Sequence, residues 1–134
     1  MKVLALVCRI LLGVIFVFFG VNGLHPFFQN QMPPRGNPLG DFVAIFHQVG
    51  WAQVVAAFQV LGGLLVWFGG TVPLALCILC PITVNILCFH VLFHAMSPAF
   101  FALPVVVTIL EIVLLYAYRG SFAGVWTTKA HRTT

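Results

Sequence analysis

Four apolar runs, at 3–24, 51–68, 73–94 and 99–118, fill most of this 134-residue chain, and each is near the length a membrane demands of a helix. A hydrocarbon core of roughly 30 Å is crossed by about 20 residues rising roughly 1.5 Å each. Arg9 lies near the start of the first run, where a long guanidinium can snorkel to the headgroups. Gly69, Gly70, Thr71 and Val72 form a short turn before the third run, and Pro73 suits the first turn of a helix there. Pro81 predicts a kink in that helix. Ser97 and Pro98 break the chain again, and the fourth run carries Glu111 as its one charge before Arg119 closes it. A water-soluble fold is excluded: 62% of residues are hydrophobic and 6% charged, whereas a soluble surface draws on about a quarter charged positions.

The expected fold is all-α, a single membrane-embedded four-helix bundle packed at roughly 20° crossings. Lys2 and Arg9 flank one end of the first span, and Arg119, Lys129 and Arg132 follow the last. Both termini are therefore expected in the cytoplasm, with 119–134 as a cytoplasmic tail. Nothing like a small-residue cleavage site stands at Leu24 to Asn30, so the first span is expected to be retained. The longer loop 25–50 then lies outside. It contains Met32-Pro33-Pro34-Arg35-Gly36-Asn37-Pro38, which cannot continue a helix, followed by Phe42, Val43, Ile45, Phe46 and Val49 at spacings that fit a short interfacial helix. Trp51, Trp67, Trp126, Tyr116 and Tyr118 fall near span ends, where amphipathic rings prefer the headgroup level. The formal charge of +4 comes from six basic and two acidic residues, and the basic ones are scattered. The lipid bilayer, rather than nucleic acid, is the partner this implies.

Ionisable and amide groups at membrane depth carry the functional candidates, because each is costly there unless paired or hydrated. Glu111 can carry a proton, pair with an inward histidine, or serve as a hydrogen-bonded structural acid. His90 and His94 stand four residues apart, on one helix face, a spacing open to a shared metal or haem-like ligand. Two ligands do not complete a metal site, and none is assigned. Asn85 lies about 140° around the helix from His90 and is expected to glue helices together. Asn22, flanked by Gly20 and Gly23 and followed by His25-Pro26, marks where the first helix unwinds, either as a plain terminus or as ligands for a headgroup or quinone carbonyl. Cys77 and Cys80 have C-x-x-C spacing, but a span disfavours the reactive thiolate; Cys8 and Cys88 read as small hydrophobes. Gly13, Gly20, Gly23, Gly62 and Gly63 let helix backbones approach closely.

These pieces together resemble the DoxX family of small four-helix membrane proteins. The resemblance is carried by Arg9-Ile10-Leu11-Leu12-Gly13-Val14-Ile15-Phe16, Phe19-Gly20-Val21-Asn22-Gly23, the Met32-Pro33-Pro34 loop and Gly62-Gly63-Leu64-Leu65. Val72-Pro73-Leu74-Ala75-Leu76, Pro81 to Asn85-Ile86 with Phe89-His90, and Leu110-Glu111 followed by Tyr118-Arg119 and Phe122 extend it. One departure is Gln59, where relatives often carry Glu; an amide hydrogen-bonds without titrating, which leaves Glu111 as the membrane-embedded carboxylate. The family includes a subunit of thiosulfate:quinone oxidoreductase, so the resemblance implies a redox neighbourhood in a bacterial inner membrane.

The expected function is an accessory integral subunit of a larger respiratory or redox-related membrane complex. The alternative is a small quinone-linked oxidoreductase with Glu111 and His90 as catalytic groups and Asn22, His25 and His94 binding the ligand beneath the outer loop. A homo-oligomer fits either. A small solute carrier would need oligomerisation to build a pathway.

Overall fold

The computed structural model describes residues 1–27, 32–93 and 98–126; His94, Lys129 and Arg132 lie outside the described residues. Among these the chain is helical and contains no strand. Helix α1 (Lys2–Leu24) is followed by α2 (Pro38–Gln48), α3 (Trp51–Trp67), a 3-10 turn at Gly69–Thr71, α4 (Val72–Phe93), α5 (Pro98–Ala117) and a second 3-10 segment at Arg119–Trp126. Each apolar run thus becomes one helix, with ends within about two residues of those read from hydropathy.

Two of the helical stretches, Lys2–Leu24 and Gly69–Phe93, are long and apolar enough to cross a membrane, and α2 with α3 makes a third if a pair bent by 74° is one span. By itself α3 has 17 residues, about 26 Å of rise. Gly50 makes the corner between α2 and α3: its φ is +80°, a left-handed conformation that a Cβ would strain. Pro73 sits in the first turn of α4, as expected, and α4 passes through Pro81 as one helix.

The helices bury the wrong residues for a soluble protein. Over their most apolar stretches only 33% of α1 and 28% of the Gly69–Phe93 helix are buried within the chain, while Val3, Leu6, Ile10, Val14, Val84, Leu92, Ile109 and Ile112 are exposed. Among the described residues, the buried polar ones are Asn22, Thr83 and Glu111. Such a surface needs lipid as its solvent.

Packing inside is ordered by small side chains. On α1 the stripe Ala5, Cys8, Leu12, Phe16 and Gly20 is buried, with the three-to-four-residue spacing of one helix face. It meets α3 antiparallel: Gly13 lies under the Trp67 ring, Gly63 against Phe16 and Val17, and Gly20 and Gly23 against Ala56. Helix α4 packs on α3, where Gly62 receives Leu79. Helix α5 packs on both α4 and α1. The apolar core joins Leu12 and Phe16 of α1, Val66 of α3, Leu76 and Leu79 of α4, and Val107 and Leu114 of α5. Because lipid tails are as apolar as leucine, such contacts stabilise through close van der Waals packing rather than removal from water.

The expected short helix after the proline-rich loop is α2. Asn37 starts it by accepting the Gly40 N–H at 2.8 Å, and Pro38 occupies the first turn, where its missing N–H is not needed. Phe42 then lies against α4, its ring centroid 5.8 Å from that of Phe89 and 5.5 Å from that of Phe93, and stacks on Phe46 of its own helix. Each such ring pair adds about 1 kcal/mol beyond burial. The loop helix is therefore docked on the far end of α4.

Candidate functional site

Glu111 anchors the polar interior. It is 4% exposed and sits between α4 and α5, where Thr83 Oγ1 donates to its Oε1 at 2.8 Å. The Cys80 thiol lies beside the same carboxyl. Thr83 is itself 2% exposed, so donor and acceptor are sealed together. Cys80 and Thr83 are three residues apart and share a helix face, which lets both reach one carboxyl across the α4–α5 seam. Of the three readings open to Glu111, this geometry makes the hydrogen-bonded interior acid concrete. Neither Thr83 nor Cys80 was singled out as its partner from sequence. The available signal was their position two residues after and one residue before Pro81, near the level at which an antiparallel Glu111 must face α4.

The other predicted site residues are held differently. His90 is half-buried on α4, and its Nδ1 N–H donates to the Ile86 carbonyl at 2.7 Å, which leaves Nε2 as an acceptor. It lies seven residues beyond Thr83, about 10 Å along the axis, beside Phe89 and Phe101. The polar partners of Glu111 and His90 are thus residues of α4 and not one another. Asn22 is 6% exposed, and its Oδ1 accepts the Phe27 N–H at 3.2 Å, tying down the chain where α1 ends. His25 is the C-cap of α1, in extended conformation and exposed. His94, and with it the four-residue histidine pair, falls outside the described residues. No three His, Cys, Asp or Glu side chains gather as a metal set among the described residues.

Asn85 corrects another expectation. It is exposed on α4, so it glues no helices within this chain. The C-x-x-C pair is split, Cys77 exposed and Cys80 half-buried, and all four cysteines are free.

Arg9 also behaves differently from a snorkelling side chain. Its Nε donates to the Val66 carbonyl at 3.0 Å, and its Nη2 donates to the Trp67 carbonyl. The guanidinium thereby satisfies carbonyls left open at the C-terminus of α3 and sits at the negative end of that helix dipole. Arg119 does the equivalent at the end of α5, donating to the Tyr116 carbonyl at 3.0 Å with its guanidinium 4.4 Å from the Tyr116 ring centre. Replacing Arg9 by Leu should lower stability by about 2 kcal/mol, the scale of charged hydrogen bonds. Arg9→Lys should recover only part of it, because an ammonium lacks the planar fork. Thermal unfolding of the purified variants in detergent measures both.

A recess of about 360 Å³ lies apart from Glu111, between the proline-rich loop and α2, and Met32, Pro33, Arg35, Val43, His47 and Gln48 line it. Arg35 and His47 give it a polar wall, and Asn22, His25, His90 and Glu111 are not among its lining residues. Asn22 and Glu111 each have protein partners, His25 is exposed at the end of α1, and His90 lies about 10 Å from Thr83 along α4. No family model, curated protein or solved structure matches this chain.

Proposed function

We propose that the chain is an accessory integral subunit of a larger redox-related membrane complex, built as a DoxX-like bundle of four spans with both termini in the cytoplasm. The observation that carries this reading is the use made of Glu111. A catalytic carboxyl must touch its substrate, and this one is closed off by Thr83 and Cys80 between helices of its own chain. The polar interior serves packing, while the outward surface is broad and apolar, suited to lipid and to neighbouring subunits. Support for the orientation comes from Lys2, Arg9 and Arg119, which gather at the end where α1 begins and α3 and α5 finish, as the positive-inside tendency requires. The bacterial inner membrane follows from the family resemblance.

The second reading, a quinone-linked oxidoreductase, draws on His90, whose free Nε2 is an acceptor for a quinol hydroxyl beside aromatic rings. Native mass spectrometry of gently extracted protein separates the two. Stoichiometric larger subunits are the expected result. A small assembly of this chain alone that retains quinone would overturn the accessory role in favour of the second reading.

A further inference from the structure

The recess beside α2 is built by residues that the polar interior does not use. Three hydrogen bonds fasten the proline-rich loop to the start of α2. The Gly36 N–H donates to Asp41 Oδ1 at 3.2 Å, the Asn37 side-chain N–H to the Pro34 carbonyl at 3.3 Å, and the Gly40 N–H to Asn37 Oδ1 at 2.8 Å. Gly40 lets the two segments close on each other, because a Cβ there would strike the Pro34 carbonyl. The enclosed space of about 360 Å³ is of the size that holds a small ligand. From α2 it is reached by Val43, Ala44, His47 and Gln48, on one side of the helix. Phe42, Ile45 and Val49 are exposed on the other side, an apolar ridge of the kind that settles into the bilayer interface. The recess therefore opens away from the hydrocarbon.

We propose that this recess binds a phosphoryl group, with the Arg35 guanidinium on two of its oxygens and His47 Nε2 sharing the proton of a third. Arg35 is the one Lys or Arg between His25 and Gly50, and among the described residues it has no hydrogen-bond or ion-pair partner. Asp41, the one carboxylate of that segment, is engaged by the Gly36 N–H instead. A guanidinium fork without a carboxylate is matched by an oxyanion that can take both of its N–H groups. His47 selects among oxyanions. Its Nδ1 N–H donates to the Val43 carbonyl at 2.9 Å, which fixes the ring and leaves Nε2 as an acceptor. An anion can pair with such a nitrogen only by bringing a proton. A phosphate monoester, with a second pKa of about 6, brings one; a carboxylate or a sulfate has lost its own near neutral pH. The Gln48 amide adds a further N–H donor at the rim, and Met32, Pro33 and Val43 supply an apolar wall for a small organic remainder. The site draws on none of Asn22, His90 or Glu111 and is independent of the accessory role.

Isothermal titration calorimetry of the full-length protein in phosphatidylcholine nanodiscs tests it. Glycerol 3-phosphate is the probe, and sulfate is the comparison of similar shape that carries no proton. Saturable binding of glycerol 3-phosphate, about tenfold tighter than that of sulfate, is the expected result. Arg35→Ala should weaken it about tenfold or more, the scale of a charged hydrogen bond, and His47→Ala should remove the preference over sulfate. Lys2→Ala, which deletes the same charge at the other end of the bundle, should change nothing. Gly40→Ala keeps Arg35, His47 and Gln48 but drives the loop off α2, and it should lose binding too. Nanodiscs doped with phosphatidic acid identify the source of the phosphoryl group. An undiminished titration there supports a water-borne phosphate, and competitive loss supports a lipid headgroup in the same recess. Absence of saturable binding in plain nanodiscs, equal affinity for sulfate, unchanged binding in Arg35→Ala, or an equal loss in Lys2→Ala would each overturn the proposal.

Discussion

Gly20→Ala should destabilise the protein by about 2 kcal/mol and Gly20→Leu should prevent recovery of folded protein, while Gly70→Ala and Gly120→Ala should leave it unchanged. At Gly20 an added Cβ would stand 2.9 Å from the Ala56 carbonyl oxygen, 2.9 Å from the Val60 nitrogen and 2.7 Å from a Val60 methyl. Two of these are backbone atoms, so no rotamer change relieves the contact and α1 must move off α3. Two effects oppose each other in the alanine variant. Helix propensity favours alanine by about 1 kcal/mol, and overpacking costs about 1–3 kcal/mol. The clash wins because it separates the pair of helices that packs most closely and takes with it the neighbouring contacts at Gly23 and Gly63. Leucine adds further atoms at the same point. At Gly70 and Gly120 nothing lies within 4 Å of the added carbon, so those variants report the substitution without the crossing. Thermal unfolding in detergent, with size-exclusion chromatography to detect aggregation, gives the ranking; a stable Gly20→Leu would mean that α1 and α3 do not meet here.

The glycines were legible in the sequence as close-approach positions because nothing else explains Gly13, Gly20, Gly23, Gly62 and Gly63 in apolar spans. Helix ends were legible as well. Prolines, glycine pairs and the charges Arg9 and Arg119 punctuate the runs, and Asn37-Pro38 carries a helix start in its own chemistry. The orientation of each helix was not legible. In a soluble helix polar residues mark the outer face, but here both lipid and core accept the same Leu, Val and Phe side chains. Asn85 shows the consequence: a polar residue in a span was expected to face neighbouring helices, and it faces out.

The candidate site was half legible for the same reason. A lone carboxyl at mid-span draws notice to Glu111 by its cost alone. Its partners are harder to find, because Thr83 and Cys80 are small, common in spans and unremarked by any motif, and only the α4–α5 packing brings them to the carboxyl. His90 stood out because histidine is rare at such depth, yet its nearest acceptor is the Ile86 carbonyl of its own helix turn. Arg9 was placed correctly at the edge of the span, but its role as the cap of α3 depends on the antiparallel contact between residues 57 and 58 positions apart, which no local pattern contains.

Glu111→Ala should cost about 3 kcal/mol of stability, and Glu111→Gln should recover most of it. Alanine removes the acceptor for the Thr83 hydroxyl, and an unpaired buried donor carries a penalty of about 1–3 kcal/mol; the vacated volume between α4 and α5 adds a cavity term of similar size. Glutamine keeps an acceptor oxygen at nearly the same position and fills the volume, although its amide cannot titrate. Thr83→Val should weaken the protein by about 1 kcal/mol, and because the pair is in direct contact, the double variant Glu111→Ala with Thr83→Val should lose less than the two single losses added together. The shortfall measures the Thr83–Glu111 interaction itself. Equilibrium unfolding in detergent of the four proteins supplies that cycle. Glutamine also separates the two functional readings, since a residue that only packs tolerates the amide, whereas one that moves protons does not. Normal assembly of Glu111→Gln into the larger complex, with that complex fully active, is the outcome expected of a packing residue. A stable Glu111→Gln protein that assembles normally but abolishes turnover would instead make Glu111 a proton carrier.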